Sequence, residues 1–377
     1  MKEVCILSSV HIALDNRVFY REARSLQRAG YRVTLIAVHP RDEVRDGIRI
    51  VALPKVPRLQ RPRLWLTLFR RAREARADIY HFHDPELLLL TPWLRRLTGK
   101  PTLYDVHEAY EDFIEVKEYL PAWARSPAAR AVGCLHPLLA RLQSGLIFSD
   151  DEIAKAFSRV DRPKTTLFNF PGRHFIEEAD RCSRDGHPRQ PIVLHLGGHE
   201  RNRGAHLMIE AFQQVLQMAP QAHLLLVGHF EPPDLEREVK DAISRRGMES
   251  AVTITGRIPF EAVGDYLRRA AVGWVPWQPV AKNEKNIPTK LFEYMAHGLP
   301  VVSSDLDSTR PFVQHGETGY RVAATEPGAH ADAVRKLLQE PQLARTMGRR
   351  GQELVRTRYN WDAMEKRLLA FYEELLS

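Results

Sequence analysis

The segment NIPTKLFEYMAHGLPVV (286–302) contains the residues whose types and spacing point most clearly to a chemical role. Pro288 suits the first position of a helix and Gly298 suits the position just after its end, so the sequence predicts a helix of about two turns. Lys290 and Glu293 stand three residues apart on that helix and project from the same side.

A lysine at the start of a helix is unfavourably placed, because this end already carries about half a positive charge. A bound diphosphate would correct the imbalance, since the ammonium of Lys290 and the free first-turn N–H groups would share its charge. Glu293 would then accept hydrogen bonds from two ribose hydroxyls. An ordinary ion pair between these two side chains is the alternative, and the spacing alone fits it equally well.

A second candidate segment is the glycine-rich turn LGGHERNRG (196–204). Gly197 and Gly198 would let the backbone approach a phosphate, and Arg203 stands just before a predicted helix. A solvated surface arginine is the alternative for Arg203. The sequence contains neither a GxGxxG nor a GxxxxGK[ST] phosphate loop, which weakens dehydrogenase and nucleoside-triphosphatase hypotheses.

Histidines and acids stand at strand ends in the first half of the chain. His107 stands at the carboxyl end of a predicted strand in the run LYDVHE (103–108), the edge of a parallel sheet where ligands bind. His81 and His83 alternate onto one strand face with Asp84 beside them, which raises the alternative of a metal site. Further ligands cannot be named from the sequence, and we expect no metal there.

Segment 286–302 resembles the donor-site motif of family 4-like glycosyltransferases of the GT-B fold, Pro-x-Lys-x-x-Glu-Tyr-Met-Ala-x-Gly-x-Pro-Val-Val. The resemblance covers nearly the whole chain and includes the runs 13–38, 78–88, 103–108, 201–212 and 255–267. The matching motif residues are Pro288, Lys290, Glu293, Tyr294, Met295, Ala296, Gly298, Pro300, Val301 and Val302.

The resemblance implies roles for the residues of the second half. Lys290 would hold the diphosphate of the donor, Glu293 the ribose, and Arg203 would stabilise the leaving group. Gly197 and Gly198 would approach the phosphates. The turn after another strand, at Arg257 and Ile258, would meet the nucleotide base through its backbone.

The resemblance also implies roles in the first half. His107 would contact the donor sugar near the bond that breaks, and His83 and Asp84 would line the acceptor side of a cleft. Asp15 and Arg17, in the loop after the first strand, would lie on the same side. A helix cap with an ion pair is the alternative for these last two.

The implied reaction moves a sugar, with retention of configuration, from a UDP-, GDP- or ADP-type donor to a hydroxyl of a carbohydrate, lipid-linked or small-molecule acceptor. Neither a cofactor nor a metal is required, and polysaccharide or glycolipid biosynthesis is the expected setting. Lys285 occupies the position where many relatives carry a first glutamate that grips the sugar. A nucleotide-sugar 2-epimerase and a non-catalytic nucleotide-sugar or membrane-surface binding protein are therefore kept as alternatives.

Short apolar runs alternate with amphipathic stretches throughout the chain, as in βαβ units with buried parallel strands. The expected fold class is α/β, GT-B, with two Rossmann-like doubly wound parallel-sheet domains facing a central cleft. The polar stretch from Pro171 to Pro191 predicts a linker. We expect an N-terminal acceptor domain at 1–172, a donor domain at 173–355, and a C-terminal helix at 356–377 that packs on the N-terminal domain.

The composition of the chain limits the classes of partner and the cellular location that we expect. Lys and Arg number 55 against 47 Asp and Glu, a net charge of +8 that suits an anionic small molecule or surface. The basic amphipathic stretch 58–76 predicts either an anionic membrane contact or a packed helix with a solvated basic face. No nucleic-acid module accompanies it, and no nucleic-acid partner is expected. Three scattered cysteines and the lack of a long apolar run predict a cytoplasmic protein with at most peripheral membrane contact.

Overall fold

The computed structural model describes residues 1–57, 60–108, 110–115, 121–184, 189–259 and 262–377. The chain divides into two compact units. Unit 1 comprises Met1–Asn169 with Trp361–Ser377, and unit 2 comprises Phe170–Asn360. The unit boundaries thus lie at 169/170 and 360/361, whereas the sequence analysis places domain boundaries at 172/173 and 355/356.

Unit 1 is built on an eight-stranded sheet of order β3-β4-β2-β1-β5-β6-β7-β8. Neighbouring strands are parallel except for the antiparallel pair β3 and β4. The strands are β1 (Glu3–Ile12), β2 (Arg32–Val38), β3 (Glu43–Arg45), β4 (Ile48–Leu53), β5 (Ile79–Phe82), β6 (Thr102–Val106), β7 (Gly145–Phe148) and β8 (Lys164–Thr166).

Helices flank this sheet, and the last one arrives from the far end of the sequence. A π-helical segment, Asn16–Ala23, continues into the first α-helix, and a 3₁₀ helix, Pro85–Leu89, precedes the third. The C-terminal helix, Trp361–Leu376, belongs to unit 1, and its Tyr372 side chain is fully buried there. The others are α1 (Arg24–Arg28), α2 (Pro62–Glu74), α3 (Thr91–Thr98), α4 (Tyr110–Glu115), α5 (Ala122–Ala140) and α6 (Asp151–Ala156).

Unit 2 contains a six-stranded, wholly parallel sheet of order β11-β10-β9-β12-β13-β14. Its strands are β9 (Ile192–Leu196), β10 (His223–Val227), β11 (Val252–Gly256), β12 (Val272–Val275), β13 (Val301–Ser304) and β14 (Gly319–Val322). Its helices are α7 (Arg173–Arg184), α8 (Ala205–Met218), α9 (Asp234–Arg245), α10 (Val263–Arg269), α11 (Ala281–Lys285), α12 (Lys290–Ala296), α13 (Pro327–Gln339) and α14 (Pro341–Thr357). A 3₁₀ turn, Arg201–Arg203, precedes α8.

The expected α/β fold class with two Rossmann-like parallel-sheet domains is confirmed, and two local predictions are wrong. The segment expected to be an irregular linker contains α7, whose Ala179 is fully buried in unit 2. The helix of the 286–302 motif begins at Lys290 rather than Pro288. It ends as predicted, because Gly298 follows it with a φ of +65°.

Two further observations bear on the expected location. Among the described residues, no helix combines the length and apolar character that crossing a bilayer requires. Cys5 is buried and Cys134 is exposed, and both are free thiols.

Candidate functional site

Lys290 lies at the carboxyl edge of the unit 2 sheet, where it is 6% exposed. Its Nζ is 3.2 Å from Nε2 of His195, which stands on the central strand β9. Nδ1 of His195 is in turn 3.0 Å from Nδ1 of His199. Within the described part of the chain, Lys290 forms no ion pair shorter than 4 Å, so a buried ammonium faces a histidine instead of a carboxylate.

Arg203 and Trp277 complete what we call the cationic cluster, defined as Lys290, Arg203, Trp277 and His195. The Trp277 ring centre is 5.3 Å from the guanidinium carbon of Arg203 and 5.9 Å from Nζ of Lys290. Arg203 also forms an ion pair with Glu200 at 2.9 Å. The indole nitrogen of Trp277 is buried without a hydrogen-bond partner among the described residues. One aromatic ring therefore lies near two cations, while its N–H group has no acceptor among the described residues.

The basic groups of this cluster lower one another's pKa values. Burial, followed by the repulsion of Arg203, lowers the pKa of Lys290 well below its usual range. Burial and then the charge of Lys290 lower the pKa of His195, which keeps its ring neutral. A bound anion would relieve the repulsion and restore the charged ammonium.

The turns beside the cluster lie close together. Gly197 has a φ of +96°, and its N–H group donates to Val227 O at 2.8 Å. A Cβ added to Gly228 would lie 1.9 Å from Gly197 O, so the turns after β9 and β10 touch. Arg257 reaches the same place, because its Nη2 is 3.1 Å from Nε2 of His229, next to Gly198. Backbone N–H groups and basic side chains thus share one sheet edge.

Three residues of the predicted donor site lie around this edge. Glu293 is half-buried on α12, one turn beyond Lys290. Its negative charge raises the pKa of Lys290 and so partly offsets the effects of burial and Arg203. Ile258 is half-buried just after Arg257. Lys285 ends α11, and its neighbour Glu284 accepts a hydrogen bond from the backbone N–H of Asp307 at 2.8 Å. Glu284 therefore stabilises a loop and does not take the place of the missing first glutamate.

In unit 1 the carboxyl edge of the sheet opens into a cavity of about 750 Å³. His107 lines it together with His11, Asp84, Glu86 and Glu108. The His11 and His107 rings stand 5.0 Å apart. Burial lowers the pKa of His107 to about 3 despite the attraction of Asp105, so at neutral pH this ring is uncharged and acts through hydrogen bonds.

His83 does not line the cavity, which corrects the sequence prediction. Its side chain is fully buried, and its Nδ1 shares a hydrogen bond of 2.8 Å with Nε2 of His107. A strand places alternate residues on one face but does not show which face carries the ligand. His83 therefore orients His107 from behind and cannot touch an acceptor.

Arg17 is also buried, contrary to the prediction that it lies on the acceptor side. Its guanidinium binds Asp105 through Nη2 at 2.8 Å and approaches Glu22 through Nε at 2.9 Å. Burial alone would raise the pKa of Asp105, but the charge of Arg17 holds it below its usual range. Burial and then the negative charge of Asp105 raise the pKa of Glu22, so Glu22 is the protonated partner.

The remaining two acceptor-side residues hold loops. The Asp15 side chain accepts from the backbone N–H groups of Arg17 at 2.8 Å and Val18 at 3.0 Å, which is the helix cap that the sequence left as an alternative. Asp84 lines the cavity and also accepts from Ser8 Oγ at 2.9 Å and from Ser9 N at 2.6 Å. Asp84 thus fixes the end of β1 beside the cavity.

Four buried residues of the described chain could in principle hold a metal ion: Glu22, His81, His83 and Asp105. Each offers one ligand atom, and these atoms lie within 4.8 Å of one another. Arg17 contacts the carboxyl groups of both Glu22 and Asp105 and already supplies a positive charge there. We interpret this group as a charge network that supports His107, and metal-independent transfer stays a prediction.

The sequence analysis did not identify His195, Trp277 or His11 as site residues. His195 lies inside a buried strand, where a histidine carries no motif of its own. Trp277 follows β12, which pairs with β9, although 75 residues lie between the end of β9 and the start of β12. His11 lies within β1. Only the order of the strands brings these side chains to the two sheet edges.

Comparison with solved structures identifies the fold. Sucrose-phosphate synthase from Thermosynechococcus elongatus matches with a TM-score of 0.78 at 21% identity, over 100% of this chain and 99% of that one. HepE from Anabaena, in complex with UDP and glucose, matches with a TM-score of 0.75 at 15% identity, over 99% and 100%. The fold is that of the GT-B glycosyltransferases.

Family models match most of the chain. The glycosyl transferase 4-like domain matches residues 16–168, and glycosyl transferases group 1 matches residues 190–340. The chain belongs to this family of glycosyltransferases.

Curated relatives agree with the family. A phosphatidyl-myo-inositol mannosyltransferase of Mycobacterium leprae is 24% identical over 298 residues, which is 78% of this chain and 73% of that protein. An alpha-D-kanosaminyltransferase of Streptomyces kanamyceticus is 24% identical over 324 residues, 83% and 81% of the two chains.

Proposed function

We propose that the protein transfers a sugar, with retention of configuration, from a nucleoside-diphosphate sugar to an acceptor hydroxyl in polysaccharide or glycolipid biosynthesis. The observation that carries the proposal is the cationic cluster. Burying Lys290 beside Arg203 costs free energy unless an anion binds there. A nucleoside diphosphate of the UDP, GDP or ADP type supplies that charge at the sheet edge where Gly197 and Gly198 let the backbone approach a phosphate.

In this reaction the diphosphate leaves with its negative charge shared by Lys290 and Arg203, so that catalysis is electrostatic and needs no cofactor or metal. Glu293 binds the ribose, and the turn at Arg257 and Ile258 meets the base. In unit 1 the neutral ring of His107 hydrogen-bonds the donor sugar, and the acceptor binds in the cavity beside it. The proposed location is the cytoplasm.

The test is a pair of lysine substitutions. We expect Lys290→Met to lower kcat/KM by about 10²–10³-fold, because one positively charged contact to the leaving group is lost. The melting temperature should hold or rise, because the variant no longer buries a strained charge. Lys240→Met, at an exposed position on α9, is the control and should keep full activity. Unchanged turnover in Lys290→Met would contradict the proposed site.

Two other functions predict different products from the same assay. A nucleotide-sugar 2-epimerase would convert the donor with no acceptor present. A binding protein would be stabilised by nucleoside diphosphates and their sugars without consuming them, by ~2.7 kcal/mol at a hundred times the dissociation constant. Transfer that depends on an acceptor and yields a product with the donor's anomeric configuration supports the proposal against both.

A further inference from the structure

The cavity in unit 1 has two chemically different walls. One wall is the carboxyl edge of the sheet, with His11, Asp84 and His107. The opposite wall is apolar and comes from Leu89 and from α5, where Val132, Leu135 and Leu139 line the cavity. A carbohydrate acceptor binds through hydrogen bonds to its hydroxyl groups, and the polar side chains of the first wall can form them.

The apolar wall continues onto the surface of unit 1. Leu89 is 47% exposed and Leu135 is 54% exposed, and both also line the cavity. We call the exposed residues that continue from them the apolar strip, which consists of Leu89, Trp93, Leu97, Leu135, Leu138 and Leu142. Every member is at least 40% exposed. A group of exposed large apolar residues on neighbouring elements marks an interaction site more often than single exposed residues do.

Two helices carry the strip, and hydrogen bonds join them. Trp93 and Leu97 stand four residues apart on α3, and Leu135 and Leu138 stand three apart on α5, so each pair shares a helix face. Arg95 of α3 donates from Nη1 to Leu142 O at 2.6 Å. Gln143 donates to Oγ1 of Thr91, the first residue of α3, at 2.8 Å. The helix α3 is thereby held against the end of α5.

Basic side chains border the strip, whereas α2 does not extend it. Arg96 and Arg141 are exposed next to Leu97 and Leu142. On α2, which falls within the basic stretch that the sequence singled out, Leu64 and Leu68 are buried and the exposed large apolar residue is Leu66. The described part of that stretch is therefore a packed helix, and the exposed apolar surface lies on α3 and α5 instead.

We propose that the acceptor is an amphipathic, lipid-linked molecule. Its hydroxyl-bearing head lies in the cavity beside His107, and its hydrocarbon chain lies along the apolar strip. The inference rests on the proposed transfer reaction. A lipid chain fits better than a protein partner because the strip begins at the cavity wall, where a chain attached to the bound head emerges.

The chain position is tested by photolabelling, which needs no turnover. Dodecyl β-D-glucopyranoside with a diazirine at the chain end is the probe, used below its micelle concentration. Labelled peptides are expected from α3 and α5, and excess dodecyl glucoside, but not methyl glucoside, should compete. Labelling only on α2 or unit 2, or equal competition by both glucosides, overturns the proposal.

Surface variants make the same test quantitative. Leu138→Ser and Trp93→Ser should each reduce specific labelling about tenfold, because each removes a side chain that the probe would cover. Leu66→Ser, equally exposed on α2, is the control and should label as the unmodified protein does. Equal labelling in all three variants overturns the inference, and so does a change of oligomeric state in Trp93→Ser, which would show that a second copy covers the strip.

Kinetics test the acceptor class. With a donor that the enzyme accepts, kcat/KM for alkyl glycosides should rise by about fourfold for each methylene that the strip buries, and then level off. The same kcat/KM for methyl and dodecyl compounds overturns the inference and leaves sugar transfer intact. Absence of nucleoside-diphosphate binding in the unmodified protein contradicts the proposed function itself, so the two failures are distinguishable.

Discussion

The Trp277 ring lies near two like charges, at 5.3 Å from Arg203 and 5.9 Å from Lys290. Arg203 also pairs with Glu200 at 2.9 Å, whereas Lys290 has no carboxylate within 4 Å in the described structure. The ring attracts Lys290 only weakly and leaves it available to an incoming anion. The indole N–H group, buried without a partner in the described structure, is a further donor for that anion. The cluster is thus prepared for a ligand with several negative oxygens.

Substitutions at Trp277 should separate these two contributions. We expect Trp277→Phe, which keeps the ring but loses the N–H group, to weaken nucleoside-diphosphate affinity about tenfold or less. Trp277→Leu loses the ring as well and should weaken affinity further, by another ~2–30-fold. Isothermal titration calorimetry with UDP, GDP and ADP measures both effects.

Trp274 provides a matched control three positions earlier. Its indole N–H group donates to Nδ1 of His330 at 3.1 Å inside the core. Trp274→Phe should therefore lower the melting temperature without changing nucleotide affinity. Equal affinities in the Trp277 variants and the unmodified protein would contradict the proposed role of the ring.

At this scale the sequence predicted some site residues and could not predict others. Lys290 and Arg203 were identified because each stands beside a helix start in a motif, and the structure brings them to the same Trp277 ring. His195 was not identified, because its nearness to Lys290 depends on contacts between distant segments. Arg17 and His83 were expected at the acceptor, yet both side chains are buried. Strand alternation and loop position do not show which polar side chains are buried in a network of ion pairs and hydrogen bonds.

The turns after β9 and β10 set the geometry of the donor edge. Gly228 has a φ of +141°, and an added Cβ would meet Gly197 O at 1.9 Å, so the two turns pack backbone to backbone. We expect Gly228→Ala to force them apart, to cost ~1–3 kcal/mol in the free energy of unfolding and to weaken nucleoside-diphosphate binding. Urea unfolding and calorimetric titration check the two effects.

Gly247→Ala is the control for that substitution. Gly247 also has a positive φ, +64°, but an added Cβ there would meet nothing within 4 Å. This variant should lose some stability through backbone strain alone and retain full nucleotide affinity. If both glycine variants bind equally well, close packing of the turns is not what shapes the site.

The strands were predicted more accurately than the helices. Arg32–Val38 and Ile48–Leu53 are short apolar runs and form parallel strands as expected, because strands buried on both faces are continuously apolar. The helix α7 was taken for a linker, since glycine, proline and charged residues dominate its surroundings. Its stability comes from contacts with α10 and α12, which no local pattern contains.

At the scale of the whole chain, unit 1 is assembled from two separate stretches of sequence. The C-terminal helix contributes Trp361, whose Nε1 donates to Ser25 Oγ at 2.9 Å, and Tyr372, whose hydroxyl is 2.8 Å from Nδ1 of His81. Phe371 and Leu375 pack so closely on Gly145 that an added Cβ would meet them at 2.9 and 2.8 Å. The last helix is therefore part of the core of unit 1.

Removing that helix should destabilise one unit selectively. A chain that ends at Asn360 loses several buried aromatic side chains, each worth ~3–5 kcal/mol, so we expect the unit 1 transition to fall by about 10 °C or more. Differential scanning calorimetry with and without nucleoside diphosphate identifies the unit 2 transition, which should stay in place. A chain that ends at Leu375 is the control, and equal melting of both shortened chains would contradict the expectation.

The return of the last helix to unit 1 also governs the order in which the protein is made. Residues 170–360 form a continuous unit and can fold while synthesis is still under way. Residues 1–169 emerge first, yet their core lacks Trp361 and Tyr372 until the final turns of the chain leave the ribosome. Unit 1, whose longer part is synthesised first, is thus the unit that completes its fold last, and the apolar surface that this helix covers stays exposed for that interval.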